Sequence, residues 1–361
     1  MRARPGLAAA VVATVALVGV PAAAAQTTAQ TTAPGATQVV TVSDPRISES
    51  SGLVASPTHP GLVWTVNDSG HTASVFGVSL ETGRTVAVLR LRGTDARDWE
   101  SMAAQRGADG RGLLWVGDTG DNSVKRESIV LRLVREPATM PKAGAVVDVT
   151  PVSLRVRYPD GPHDVEALVA TPDGRLLLVT KELFAGTVYE VPAQAVATVV
   201  GGTSVSQPVT ARNVGGVRQS LVTDASLLPD GRIVLRGYVD AVICRDRTKD
   251  DRGLEVERRI PLPPQEQGET LTVVDGGAAI LVGSEGVKQP LWRVPLSAPP
   301  AAGAATASAT SGAAPSAASH PRTTAADRAP ATPSHDVLVW ALRIAALVLI
   351  PIAFLLARRR R

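Results

Sequence analysis

Carboxylates recur at matching places along this chain. Glu49, Glu100, Glu166 and Glu269 each open a short apolar run, and Asp98, Asp164 and Asp224 stand at the corresponding approach. A second set follows a later apolar run in each repeat. It comprises Asn67-Asp68-Ser69-Gly70, Gly117-Asp118-Thr119-Gly120-Asp121-Asn122, Thr180-Lys181-Glu182, Tyr238 with Asp240, and Ser284-Glu285. Three chemistries suit such residues. Asn, Asp, Ser and Gly fill tight turns because they tolerate left-handed backbone and bond their own amides, which covers "NDSG" and "TPDG" but not glutamates. A hard cation is the second. Ca²⁺ takes six to eight oxygens, and Glu49, Asp98, Glu100, Asp118, Asp121, Asp164 and Glu166 are the candidate ligands. The third is hydrolysis by paired carboxylates, since crowding raises one pKa and leaves an acid beside an ionised partner. Glu100, Asp118 and Glu166 are the candidates for that work, and a glycosidase would need a defined carboxyl separation. Trp99, Lys181, Glu182, Asp224 and Glu269 complete the set as candidate ligand contacts.

These residues must be positioned by a repeat. "GLVWTVND" (Gly61–Asp68) matches "GLLWVGDT" (Gly112–Thr119), and "RLLLVTKE", "RIVLRGYV" and "AAILVGSE" are weaker copies from Arg175, Arg232 and Ala278. The preceding element begins at Glu49, Glu100, Glu166, Thr223 and Glu269, at spacings of 51, 66, 57 and 46 residues. Such periods indicate propeller blades or solenoid repeats. Short Val/Leu/Ile runs between Gly, Asp, Asn and Pro clusters indicate an all-β chain, with four strands per repeat. The fifth repeat falls one strand short, and "TQVVTVSD" (Thr37–Asp44) is available to close the ring and remove its open edges. The expectation is a five-bladed β-propeller over 38–297. Six blades, the alternative, would need a hidden repeat between Glu100 and Glu166. In a meander of four strands, the entry to the innermost strand and the hairpin after the second share one face, so both carboxylate sets should ring one mouth. Trp64 and Trp115 share a repeat position and read as packing between blades.

"ISESSGLVAS", "LVWTVNDSG", "DWESMA", "WVGDTGDN" and "YPDGPHDVEAL" resemble a group of exported bacterial propeller proteins placed near the TolB-like and phytase-like propellers. The resemblance implies a propeller with an acidic, calcium-binding channel face. Its phytase-like side implies phosphoester or ester hydrolysis, for which Lys181 and Arg236 are the cations within reach of an anionic substrate.

The ends set the expected location. Residues 1–25 carry Arg2 and Arg4, an apolar run and Ala23-Ala24-Ala25, the pattern of a cleavable export signal. Residues 26–37 and the Ala/Pro/Ser/Thr-rich 298–335 read as flexible spacers. Residues 336–357 have the length and apolarity of one transmembrane helix, with Arg343 near its outer end, and 358–361 form a cytoplasmic arginine tail that fixes the orientation. A single-pass cell-membrane protein with its propeller outside the cytoplasm follows. The net charge of +4 misleads about partners. Residues 38–297 hold 28 basic and 31 acidic residues, so the domain is acidic and nucleic acid is not its partner. An envelope glycan, a small ligand or a protein is the expected partner, bound by a display or scaffold module. The alternative is a metal-dependent phosphoester or ester hydrolase. Cys244 is the only cysteine, so the chain has no internal disulfide and Cys244 reads as a buried spectator.

Overall fold

A computed structural model describes residues 33–296. The export signal, the 298–335 spacer, the 336–357 helix and the arginine tail all lie outside the described residues. Among the described residues no helix is long and apolar enough to cross a membrane.

The described chain is all-β, with 22 strands. Strand β1 (Thr37–Thr41) precedes a meander of β2 (Ser50–Ala55), β3 (Leu62–Asn67), β4 (Ser74–Ser79) and β5 (Thr85–Leu91). The second meander begins with β6 (Trp99–Arg106), β7 (Gly112–Asp118) and β8 (Ile129–Arg135). The chain then crosses to lay β9 (Ala145–Val149) parallel to β5, and returns as β10 (Val152–Arg157). That excursion fills the long interval between Glu100 and Glu166. The third meander is β11 (Val165–Ala170), β12 (Leu176–Thr180) and β13 (Gly186–Val191). Between β13 and its last strand come α1 (Ala193–Val200), which the apolar periodicity did not single out, and β14 (Val205–Thr210), which pairs parallel with β10. The last strand is β15 (Arg212–Val217). The fourth is β16 (Asp224–Leu227), β17 (Ile233–Arg236), β18 (Asp240–Asp246) and β19 (Leu254–Pro261), tied to β15 through Val217 and Leu254. The fifth is β20 (Gly268–Val274), β21 (Ala279–Ser284) and β22 (Pro290–Pro295), completed by β1 on its outer edge.

The first strands of the meanders neighbour one another in a cycle. β2 lies beside β6, β6 beside β11, β11 beside β16, β16 beside β20, and β20 beside β2. Strands β3, β7, β11, β12 and β21 are buried along their whole length, which is why they read as mostly apolar runs, interrupted by single polar residues, rather than alternating ones. Five apolar cores fill the gaps between successive meanders, and the fifth joins Leu281 and Leu291 to Leu53, Val63 and Val78, returning to the first. Trp64 and Trp115 are fully buried in these cores.

The closing strand is held from the side by the β4–β5 turn. Ser43 donates its amide (2.9 Å) and hydroxyl (3.0 Å) to the Gly83 carbonyl. Gly83 has φ +69, and a Cβ there would collide with the Thr41 carbonyl. Gly83→Ala therefore combines a left-handed backbone cost with overpacking. A loss of about 2–4 kcal/mol in urea unfolding is expected. A loss under about 1 kcal/mol would show that β1 contributes little to closure.

Candidate functional site

The entries to the inner strands and the hairpins after the second strands do converge, and the first cluster is built from two meanders. Asp68 lies in the β3–β4 hairpin, while Asp98 and Glu100 stand at the start of β6. One carboxylate oxygen from each lies within 4.8 Å of the others. Glu100 is 5% exposed, and its Oε2 accepts a hydrogen bond from the Ser51 hydroxyl. Burial, then the charges of Glu166 and Asp68, push the Glu100 carboxyl well above the usual range. Asp98 is pushed up to about 7 by burial and then by its neighbour Asp68, with Asp164 adding to the effect and Arg126 opposing it. Burial also raises Asp68 and Asp164, against the Ser69 amide in one case and the Asp121 amide (2.8 Å) in the other. Gly120 lets the β7–β8 loop lie across this cluster, since a Cβ would stand 2.7 Å from Cγ of both Asp98 and Glu100.

A second group lines the same mouth from β11, β12, β17 and β20. Lys181 Nζ donates to Glu166 Oε1 at 2.7 Å and lies 5.2 Å from the Tyr238 ring centroid. Burial works against the lysine charge, but Glu166 and Glu269 hold Lys181 well above the ordinary lysine range, so it stays protonated. Burial pushes Glu166 and Glu269 up, with Lys181 pulling each back. One oxygen on each, Glu166 Oε2 and Glu269 Oε2, is buried without a hydrogen-bond partner. Glu285 is raised to about 8 by burial and then by Glu269. Arg236 is fully buried and donates to the Thr270 carbonyl (2.8 Å) and to Gln265 Oε1 (2.5 Å). Burial pulls it down to about 10.

Several residues singled out in the sequence do other work. Asp118 is buried with both oxygens engaged, Oδ1 by Arg126 Nη2 (2.7 Å) and Oδ2 by Arg132 Nη1 (3.0 Å), so its charge is held by two arginines. Asp121 Oδ2 accepts the Lys125 and Arg126 amides, both at 2.6 Å, and shapes its own loop. Asp224 is fully buried and accepts the amides of Ala225 (2.8 Å) and Leu271 (2.6 Å), clipping β16 to β20. Trp99 faces the core rather than the mouth, with no exposed surface and the Arg132 guanidinium 5.8 Å from its ring centroid. Glu182 is exposed and accepts the Thr180 (2.6 Å) and Thr187 (3.2 Å) hydroxyls. Glu49 sits at the rim, bonded to His71 Nε2 at 2.7 Å. The residues that join the cluster beyond the candidate list are Asp68, Glu285 and Ser51. Asp68 and Glu285 carried a signal, since both sit in the hairpin after a second strand. Ser51 carried none.

The Asp68, Asp98 and Glu100 cluster offers only oxygen donors, a set that suits a hard cation over zinc or copper. It also offers an acid–base group, Asp98, whose proton is exchangeable near neutral pH.

No protein-family model matches the sequence, and no curated protein matches it. Solved structures similar to it include the WD40 repeats of RRP9, 11% identical over 71% of this chain and 96% of that one at a TM-score of 0.36. Glutaminyl cyclase from Myxococcus xanthus is 15% identical over 72% and 94% of the two chains, TM-score 0.40. A glucose dehydrogenase is 9% identical over 73% and 100%, TM-score 0.40. At these scores the propeller-like architecture rests on the strand order and the cyclic packing described above.

Proposed function

We propose that this protein is a membrane-anchored, extracytoplasmic propeller of five blades that binds its partner at the acidic mouth, with a calcium ion held by Asp68, Asp98 and Glu100. The observation that carries the reading is the convergence of three carboxylate oxygens within 4.8 Å, beside a lysine, Lys181, that is already paired with Glu166. Unpaired carboxylates this close repel, and a divalent cation relieves the repulsion while supplying the protonated forms with a reason to ionise. The unpartnered oxygen of Glu166 supports further ligation from the neighbouring blade. Blade count rests on five inner strands in a cycle and five cores. Location rests on the terminal segments of the sequence alone.

Calorimetric titration of the purified protein with Ca²⁺ is expected to show one site per chain. Glu100→Gln and Asp98→Asn should each weaken it by more than the roughly 10–100-fold that loss of an outer-shell partner costs. An absence of heat at millimolar Ca²⁺ sinks the ion. A metal-assisted phosphoester or ester hydrolase is the second reading, favoured by Asp98, whose carboxyl at about 7 can exchange protons at neutral pH. The same samples, offered p-nitrophenyl phosphate and p-nitrophenyl acetate, separate the two. Turnover that disappears in Asp98→Asn would favour the hydrolase.

A further inference from the structure

Seven large apolar side chains stand exposed among the described residues, and five of them lie on the mouth. Val124 is in the β7–β8 loop, Leu183 and Phe184 in the β12–β13 hairpin, Val239 in the β17–β18 hairpin and Val287 in the β21–β22 hairpin. The other two, Val39 and Val146, are on the outer strands β1 and β9. Leu183 is 56% exposed and Phe184 89%. Scattered surface apolar residues need no explanation, but a set gathered on one face marks an interaction surface. Val124 also has φ +49, a conformation a β-branched residue adopts at a cost. Asp121 enforces it, accepting the Val124 amide on its carbonyl (2.7 Å) and the next two amides on its carboxylate.

We infer that this apolar crown, set around the carboxylate floor, docks a protein segment whose tip is a lysine or arginine flanked by apolar side chains. The apolar contacts come from four hairpins of different meanders, so the occupant must touch several at once, which a small ligand does not do. The floor defines what its centre carries. Asp68, Asp98 and Glu285 are part-exposed at the mouth with Glu100 beneath them, carboxyls that a bound cation would ionise, while below them Lys181 is already paired with Glu166. A cationic tip pairs with the part-exposed mouth carboxylates, while aliphatic or aromatic neighbours cover the crown. An anionic bilayer surface would meet the same carboxylates with like charge. The inference rests on reading the mouth as the binding face, but not on the ion. Calcium and the cationic tip draw on the same floor and compete.

The test uses the full chain in nanodiscs, panned in EDTA against a library of cyclic heptapeptides displayed on phage. Selected peptides are expected to carry Lys or Arg beside apolar residues. Their affinity should fall about tenfold or more in Leu183→Ser with Phe184→Ser, and again in Asp68→Asn with Glu285→Gln. The crown residues are exposed, so an unchanged melting temperature identifies a true binding loss, and Val287→Ser provides an independent crown variant. Competition by millimolar Ca²⁺ links this result to the ion site. Selection without competition leaves the inference standing while the calcium reading falls. No enrichment, an acidic consensus, peptides indifferent to the crown variants, or crown-dependent binding to anionic vesicles each overturns it.

Discussion

Asp118→Ala should cost about 3–5 kcal/mol of stability, the loss typical of removing one member of a buried ion pair. Asp118, Arg126 and Arg132 are all buried, and the carboxylate bridges both guanidiniums at 2.7 and 3.0 Å. Without it two positive charges remain in the interior with one hydrogen bond fewer each. Arg126 keeps only the Gly120 carbonyl, at 2.8 Å, and Arg132 keeps its stack on Trp99. In a domain this large each kcal/mol lowers Tm by roughly 2–4 °C, so a fall of about 6 °C or more is expected. Asp118→Asn, which retains the shape and one acceptor, should lose less. Urea unfolding of the three proteins decides the matter. A cost below about 1 kcal/mol for alanine would mean that the arginines reach other partners, and would return Asp118 to the list of groups free to bind a ligand.

The second large effect is a pH dependence that calcium reverses. Asp98 is raised from 3.8 to about 7 and Glu285 from 4.5 to about 8, in each case chiefly by burial. Glu100, Glu166, Asp68 and Asp164 are raised in the same direction. A carboxyl with a folded pKa above its unfolded one keeps its proton in the folded protein where the unfolded chain has lost it. Its stabilising contribution is whole below about pH 4 and drains away as pH rises toward 8. In EDTA the melting temperature should therefore decline from pH 5 to pH 8. Calcium needs the ionised forms, so its stabilisation should be negligible at pH 5 and largest at pH 8. At a hundredfold excess over Kd the gain is about 2.7 kcal/mol, or roughly 5 °C or more. Mg²⁺ should substitute poorly in a site assembled from irregular loops. Melting curves at four pH values in each condition provide the measurement. A Tm that rises with pH in EDTA, or a calcium increment independent of pH, contradicts this account.

Much of the fold was readable because propeller geometry imposes a long period. The buried second strand of each meander must be apolar on both faces, so the copies at Gly61 and Gly112 resemble one another, and the missing outer strand had one candidate ahead of the first repeat. What could not be read were departures from the period. Strands β9 and β14 pair with sheets other than those adjacent in sequence, and nothing local marks such a crossing. The acidic mouth was legible because glutamate is out of place as a turn residue, so its recurrence before inner strands needed another cause. Individual roles were less legible. Asp118 and Asp98 look alike in sequence, yet one is neutralised by Arg126 and Arg132, whose reach depends on how the β7–β8 loop folds back. Asp224 looks like a mouth carboxylate, but a short inner strand turns it onto two backbone amides. Trp99 sits between two mouth carboxylates, and strand alternation sends it to the opposite side, into the core. The apolar crown was hidden for a related reason. Leu183-Phe184 or Val287 alone is an ordinary hairpin residue, and only the cyclic arrangement gathers them.

The pairing of β1 with β22 also bears on how the molecule forms. Thr37 faces Arg293 across that pair, so β1, the first of the described strands, cannot find its partner until nearly all of the domain is available. Most meander contacts join close neighbours and can form early, whereas this one waits on a loop closure spanning the described chain. Contacts so distant in sequence slow the search, and until they form β22 presents an unpaired edge open to other chains. The sheet that seals the ring is thus expected to be the last to acquire hydrogen-exchange protection during refolding. The same edge is where a stalled molecule would begin to aggregate.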